Sequence, residues 1–307
     1  MNVVVTITYN ALKDDILEPF FASIDAQRDR DFILLVIDNA STDGTADHLR
    51  TLVRDRDNMQ VILNDENVGF ARACNQGIAV ARTLGASHVT FINNDTEFDA
   101  GLLGGMVASL EAEGADALAP LITYHARPDL IWYVSGSYRM WRGIIPFHDH
   151  IGEPRDAVAM QPVATTVFAS GCCLVVTMAA LDLVGGFYER FFVYWEDVQL
   201  SKALIAAGRR ILVDTRLECR HKVSVSTGGS FSAFSIYHFT RGHMIFVRDH
   251  YGLPTAIGIV GVSAAKALLN LARGRMAWRD VASWRHGIAA GLRAPTRGVQ
   301  QAGITGR

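Results

Sequence analysis

The chain has 307 residues, half of them hydrophobic and 20% charged, enough to bury a sizeable core without a disulfide or structural metal, which excludes a disordered or low-complexity protein. Lys and Arg number 29 against 31 Asp and Glu, a formal net charge of -2, so no global basic field drives non-specific nucleic-acid binding, and nucleic acid is not expected as a partner.

The first half alternates strand and helix signals. Val3–Thr8 is a continuous β-branched run of the kind buried on both faces of a parallel sheet. Helical periodicity through Ile16, Phe20, Phe21 and Ile24 predicts a helix over 13–27. A second strand follows at Phe32–Ile37, then a helix near 44–56 that Ser41 or Thr42 can cap. Met59–Leu63 reads as a third strand, 69–84 as a helix stopped by Gly85, and Val89–Ile92 as a fourth strand. This order argues for a parallel, doubly wound α/β sheet. The second half is less regular. Residues 125–162 read as loops or hairpins, and 163–178 as a strand interrupted by Gly171. A helix is expected over 197–207, a strand at Arg210–Asp214, a Ser/Gly-rich loop over 224–235, and helices near 236–250, 254–273 and 277–293.

Cys74, Cys172, Cys173 and Cys219 form no CxxC pair and fit neither a zinc knuckle nor a secreted disulfide framework, which points to a reducing cytoplasm. The amino terminus, MNVVVTITYN, has no basic leader and reads as a strand. The longest apolar stretch, 253–265, is shorter than the ~20 residues of a spanning helix.

Polar residues cluster just after strands: Tyr9-Asn10, Asp38-Asn39, and Asn93 to Asp95. Ligands of open α/β sheets bind outside the carboxyl ends of strands, so the three clusters are expected to share one crevice. The turn after the first strand has no glycine, and no Walker A motif is present, so a nicotinamide oxidoreductase loses its main support. Taken singly, each cluster is also an ordinary turn or helix cap.

The stretches VVVTITYN, LLVIDNASTDGT, NDENVGFARACNQG, FINNDTEF, ASGCCLVV, VGGFYERFFVYWEDVQLSKAL and RHKVSVSTG, in this order, resemble the inverting glycosyltransferases of family 2, closest to their rhamnosyltransferase-like branch. The resemblance covers roughly residues 1–250. It implies a GT-A fold, a doubly wound, mainly parallel α/β sheet with a helical C-terminal extension. The catalytic domain would span 1–250, with a nucleotide-sugar half near 1–125 and an acceptor half near 126–250, and the extension 251–307.

The resemblance also implies roles. Asp95, the second acid of a DxD-like element, and His221 would hold Mg2+ or Mn2+ against the donor diphosphate; a hard cation takes carboxylate and phosphate oxygens. Thr8, Asn10, Asp38, Asn67, Asn75, Asn93 and Asn94 would line the nucleotide-sugar site, Asn93 as a hydrogen-bonding group rather than a charged ligand. Asp197 of the Glu196-Asp197 pair would be the general base of a single inverting displacement; outside this context the pair reads as an acidic helix cap. Arg220 and Lys222 would add positive charge beside phosphates, and the loop Ser224–Gly229 would order over the donor. Tyr188 replaces the aspartate of the family's GGFDE text, and Lys202 stands where arginine is common. Trp132, Tyr133, Tyr138, Trp141 and His148–His150 either stack on sugar rings or form a packed aromatic subcore.

The implied activity is transfer of a sugar, rhamnose from dTDP-rhamnose being favoured, to a glycan or lipid-linked acceptor in cell-envelope polysaccharide synthesis. The alternative is a non-catalytic nucleotide-sugar-binding protein of the same fold. The expected place is the cytoplasm, with peripheral contact on the inner face of the membrane. For the C-terminal segment, an amphipathic surface anchor stands beside internal packing or a homodimer interface.

Overall fold

Uninterrupted β-branched and aliphatic runs form the centre of the sheet, because a strand covered on both faces has no solvent side to mark with polar residues. The computed structural model describes residues 1–12, 16–223 and 232–295. It divides into two compact units, Met1–Tyr138 with Pro146–Ser226, and Arg139–Ile145 with Thr227–Arg307.

In the first unit, β1 (Asn2–Thr8) lies between β2 (Phe32–Asp38) and β4 (His88–Ile92), and β3 (Met59–Leu63) flanks β2, all parallel. Val3, Val4, Leu34, Leu35, Val89 and Phe91 are fully buried there, each side chain contributing on the order of 1.5–3 kcal/mol. The helices α1 (Leu17–Asp25), α2 (Thr45–Leu52) and α3 (Phe70–Thr83) make the crossovers. Gly77 of α3 sits so close to β1 that an added Cβ would stand 2.7 Å from Val5 Cγ1.

Past β4 the sheet becomes mixed. The short β5 (Thr96–Phe98) and α4 (Leu102–Ala112) lead to β6 (Ala117–Tyr124) and β7 (Arg127–Tyr133), an antiparallel pair. β8 (Gly136–Arg139) and β9 (Ile145–His148) form a separate ladder. The stretch 163–178 is two strands, β10 (Val163–Thr165) and β11 (Cys173–Thr177), that occupy distant places in the order β10-β12-β6-β11-β4-β1-β2-β3. β11 runs antiparallel against β4. After α5 (Met178–Val184) and α6 (Glu196–Ala206), β12 (Ile211–His221) extends well beyond the expected Asp214. It crosses an irregularity between Asp214 and Glu218 before pairing again, so His221 is a strand residue.

The second unit contains α7 (Ala233–Tyr251), α8 (Leu253–Ala272) and α9 (Asp280–Arg293). Ser232 caps α7, its hydroxyl accepting from the Ser235 N–H. α7 and α9 approach closely because Gly287 and Gly291 lie one turn apart; a Cβ on Gly291 would stand 2.5 Å from Met244 Cβ. α8 continues through Lys266 to 20 residues, longer than the apolar stretch of the sequence.

Candidate active site

In-register parallel pairing of β1 with β2, ending Thr8 opposite Asp38, delivers two polar strand ends side by side. The Thr8 hydroxyl donates to Asp38 Oδ1 at 2.9 Å, and Ser41 donates its hydroxyl to Oδ1 at 2.5 Å and its N–H to Oδ2 at 2.9 Å. Ser41 is therefore spent on Asp38 and does not cap α2, whose N-cap is Gly44 in the left-handed region. Asn10 closes the same knot, its N–H donating to Ser41 Oγ and its Oδ1 accepting from the Thr42 N–H, both at 2.8 Å. Asp38 is buried, its carboxylate fixed directly by Thr8 and Ser41.

Asn67 and Asn75 lie on the loop before α3 and within it. Asn67 Oδ1 accepts from the Gly69 N–H at 3.0 Å, shaping the entry to the helix. Asn75 clasps the segment after α5: its Nδ2 donates to the Phe187 carbonyl and to Glu189 Oε1, and its Oδ1 accepts from the Phe187 N–H. Tyr188 in that segment accepts from the Arg190 guanidinium at 2.6 Å.

The turn after β4 brings Asn93, Asn94 and Asp95 to the edge shared with β12. Asn94 and Asp95 are buried. The Asp95 carbonyl accepts from the Lys222 N–H at 2.9 Å, and Asp95 Oδ1 lies 3.2 Å from His221 Nε2. Asp95 Oδ1 is buried without a hydrogen-bond partner, and so is the other ring nitrogen, His221 Nδ1. Trp132 holds the imidazole edge-on, its ring 4.5 Å from His221 and 4.5 Å from His148. Burial pushes His148 down to about 4, keeping it neutral. Tyr133 is fully buried and donates to the Phe168 carbonyl, so this part of the aromatic cluster is a packed subcore. Lys222 pairs with Glu97 at 3.2 Å and Arg220 with Asp99 at 3.3 Å.

Among the described residues no cluster of three or more His, Cys, Asp or Glu is arranged around one point. The buried, unpartnered Asp95 carboxylate oxygen and the imidazole nitrogen 3.2 Å from it nevertheless suit a divalent cation that completes its shell with phosphate oxygens and water. Asp95 and His221 are the residues that fit it.

Asp197 opens α6 and is tied to this turn through the backbone. Its Oδ2 accepts from the Gly171 N–H at 3.0 Å and its Oδ1 from the Val198 N–H at 2.7 Å, while the next residue, Cys172, accepts from the Asn93 N–H at 2.9 Å. A Cβ on Gly171 would stand 3.2 Å from Asp197 Cβ, so a larger residue would crowd this contact. Burial raises the Asp197 carboxyl, and the N–H groups of Gly171 and Val198 oppose the shift. Glu196 is more deeply enclosed, with Oε2 unpartnered; burial first and the Asp197 charge second push it up to about 8. Burial raises both carboxyls, and the Gly171 and Val198 N–H groups oppose the shift at Asp197, so Asp197 is the group the fold favours for ionisation.

Backbone strain concentrates here. Of eight positive-φ residues other than glycine among the described residues, Asn10, Ala40, Tyr194, Trp195 and Val223 lie within two residues of Thr8, Asp38, Glu196 or His221. Such conformations cost about 1–3 kcal/mol each and persist where the surroundings impose them. No local pattern marks Ser41 as the Asp38 clamp, Gly171 as the Asp197 donor, or Tyr194-Trp195 as the strained entry to α6. The loop Ser224–Gly229 lies outside the described residues.

The mixed, mostly parallel sheet with helices on its faces and a helical C-terminal part is a GT-A fold, and solved structures share that fold. GalNAc-T7 with UDP, GalNAc and Mn2+ matches with a TM-score of 0.65 at 12% identity over 81% of the chain; the chain spans 48% of that structure. A mannosyltransferase from Pyrobaculum calidifontis in complex with GDP-Man and Mn2+ matches with a TM-score of 0.57 at 18% identity, covering 96% of the chain and 76% of its own. S. aureus TarS 1-349 with UDP-GlcNAc matches with a TM-score of 0.56 at 17% identity, covering 93% and 79%. The chain belongs to glycosyl transferase family 2, whose profile matches residues 3–173, and it is a glycosyltransferase. Two relatives from Mycobacterium tuberculosis, strains CDC 1551 / Oshkosh and ATCC 25618 / H37Rv, are N-acetylglucosaminyl-diphospho-decaprenol L-rhamnosyltransferases. Each is 27% identical over 268 residues, covering 81% of this chain and 85% of its own.

Proposed function

We propose that this glycosyltransferase transfers L-rhamnose, with inversion, from dTDP-rhamnose to a lipid-linked diphosphate acceptor ending in N-acetylglucosamine. Support for the sugar and acceptor comes from the Mycobacterium tuberculosis relatives. The observation that carries the chemistry is Asp197, held by two N–H groups and linked through Gly171-Cys172 to the Asn93–Asp95 turn.

In this reading Asp38, set by Thr8, Ser41 and Asn10, receives the nucleoside. Asn67, Asn75, Asn93 and Asn94 shape the walls of the donor pocket, Asn75 by fixing the Phe187–Glu189 segment. Asp95 and His221 would hold Mg2+ or Mn2+, which supplies charge neutralisation for the departing diphosphate. Asp197 accepts the proton of the acceptor hydroxyl. That oxygen forms its bond to the anomeric carbon from the face opposite the leaving group, and the electron pair of the broken C–O bond departs with the diphosphate. Burial disfavours a competing charge on Glu196 beside the base. The donor half is residues 1–125, and the acceptor half begins near 126. Four buried free cysteines suit work in a reducing cytoplasm.

The test is a transfer assay of the full chain with dTDP-rhamnose, UDP-GlcNAc and GDP-mannose, a lipid-linked N-acetylglucosamine diphosphate acceptor, and Mn2+ or EDTA. Transfer from dTDP-rhamnose that EDTA abolishes supports the reading. Preference for another donor overturns the sugar assignment, and full activity in EDTA overturns the metal role. Retained anomeric configuration in the product overturns the single displacement.

A further inference from the structure

The helix α8 is built inside out. A helix facing water turns its polar side chains outward. With about 3.6 residues per turn, Ser263, Lys266 and Asn270 fall on the same arc as the buried Ala256, Ile259 and Ala267. The opposite arc carries Leu253, Ile257, Gly261, Val262, Leu268 and Leu269 without a charge, with Ile257 57% and Leu268 63% exposed. Two of the inward polar groups are bound within their own unit. Ser263 accepts from the Trp284 indole N–H at 2.9 Å, and Lys266 Nζ donates to the Arg142 carbonyl at 2.6 Å. Thr255, at the border of the arcs, turns its hydroxyl onto the Tyr251 carbonyl.

The rest of this unit has the composition of an interface with anionic lipid. Trp278, past the end of α8, is 77% exposed, and Trp141, next to Arg142, is 75% exposed beneath a guanidinium 4.7 Å from its ring. From Leu253 to Pro295 the chain carries Lys266, Arg273, Arg275, Arg279, Arg285 and Arg293 against a single acid, Asp280. Indole rings favour the headgroup level, and arginines near a surface favour anionic headgroups. By length and composition α8 could cross a bilayer. Its anchored inner face argues against that, because crossing would carry Lys266 and its partners into hydrocarbon. Self-association of this unit would crowd the basic residues that follow α8, Arg273, Arg275 and Arg279, of two copies.

We propose that the outer face of α8 lies flat in the boundary between headgroups and acyl chains of an anionic membrane, with Trp141 and Trp278 at headgroup level and Arg273, Arg275 and Arg279 on lipid phosphates. This inference does not depend on the sugar or acceptor assigned above, and a chain inactive toward dTDP-rhamnose would leave it standing.

Vesicle flotation of the full chain tests it, using phosphatidylcholine alone and phosphatidylcholine with about one third phosphatidylglycerol. The chain floats with the anionic vesicles at low salt, and binding weakens as salt rises. The double variant Ile257→Glu, Leu268→Glu changes two exposed positions; it loses flotation by at least about tenfold while its thermal unfolding stays that of the parent. Replacing Arg273, Arg275 and Arg279 by alanine weakens binding about fivefold per arginine at low salt. Absence of flotation with anionic vesicles at low salt overturns the proposal, as does flotation undiminished in the double glutamate variant. Light scattering that shows a dimer abolished by those glutamates, without vesicle binding, assigns the face to a second copy instead.

Discussion

Asp197 and Glu196 share one helix start, yet the fold gives them different protonation. Asp197 meets two N–H donors that favour its ionised form, whereas Glu196 meets an enclosed pocket and a neighbouring negative charge. Asp197→Asn keeps the size and removes the basic oxygen, so the expected result is donor affinity unchanged and kcat lower by about 10²–10⁴-fold. Transfer near the parental rate would take Asp197 out of the base role. At Asp95 the expected effect falls on binding. Losing a positioning partner of a metal ligand typically costs about 10–100-fold, and losing the ligand no less. Calorimetry of Asp95→Ala with dTDP and Mn2+ should show at least about tenfold weaker binding. Affinity equal to the parent's would move the cation elsewhere.

At the level of elements, position in the crevice depends on the loops that enter helices. Gly69 precedes α3 with φ of 83°, and a Cβ there would stand 2.6 Å from the Phe192 carbonyl. That carbonyl also accepts from the Phe70 N–H at 2.6 Å, so it has little room to yield. Gly69→Ala combines left-handed strain with a backbone clash and should destabilise the first unit by about 2 kcal/mol or more. Chemical denaturation would show it as a lower midpoint at unchanged slope; an unchanged midpoint would mean the loop repacks freely. The strands β1 to β4 and the three crossover helices were legible because their patterns are local: apolar runs, 3.6-residue periodicity, a glycine stop. The polar strand ends were legible for the same reason. β12 was read only to Asp214 because Thr215, Arg216 and Glu218 break the apolar run, and its continuation to His221 is set by pairing with β6 and β5. β10 and β11 looked like one strand because a sequence window cannot show that β12 and β6 lie between them. The links of Gly171 to Asp197 and of Trp132 to His221 span 26 and 89 residues (197 minus 171; 221 minus 132), beyond any local signal.

On the scale of the whole molecule, the two units should answer pH differently. In the first, Glu196 is raised from 4.5 to about 8. Between those values the unfolded chain has lost that proton and the native chain keeps it, so stability falls as pH rises. His148, lowered from 6.5 to about 4, acts oppositely and only below 6.5. In the second unit His243, whose ring nitrogen lies 2.6 Å from the Gly143 carbonyl, and His238 are both lowered by burial to about 4. Between 4 and 6.5 the unfolded chain binds more protons at these positions, so their contribution grows with pH and then levels off. From pH 6.5 to 8 the Glu196 contribution weakens the first unit, while the two histidines of the second no longer change. Hydrogen exchange, corrected for intrinsic rates, should show slowest amides of β11 and α6 losing protection over that interval and those of α7 and α9 holding theirs. Glu196→Gln isolates the cause. It removes the titrating proton, so the loss in β11 and α6 should shrink while α7 and α9 stay as before. A variant that loses protection as steeply as the parent would show that another group drives the change and that Glu196 is ionised in the native enzyme.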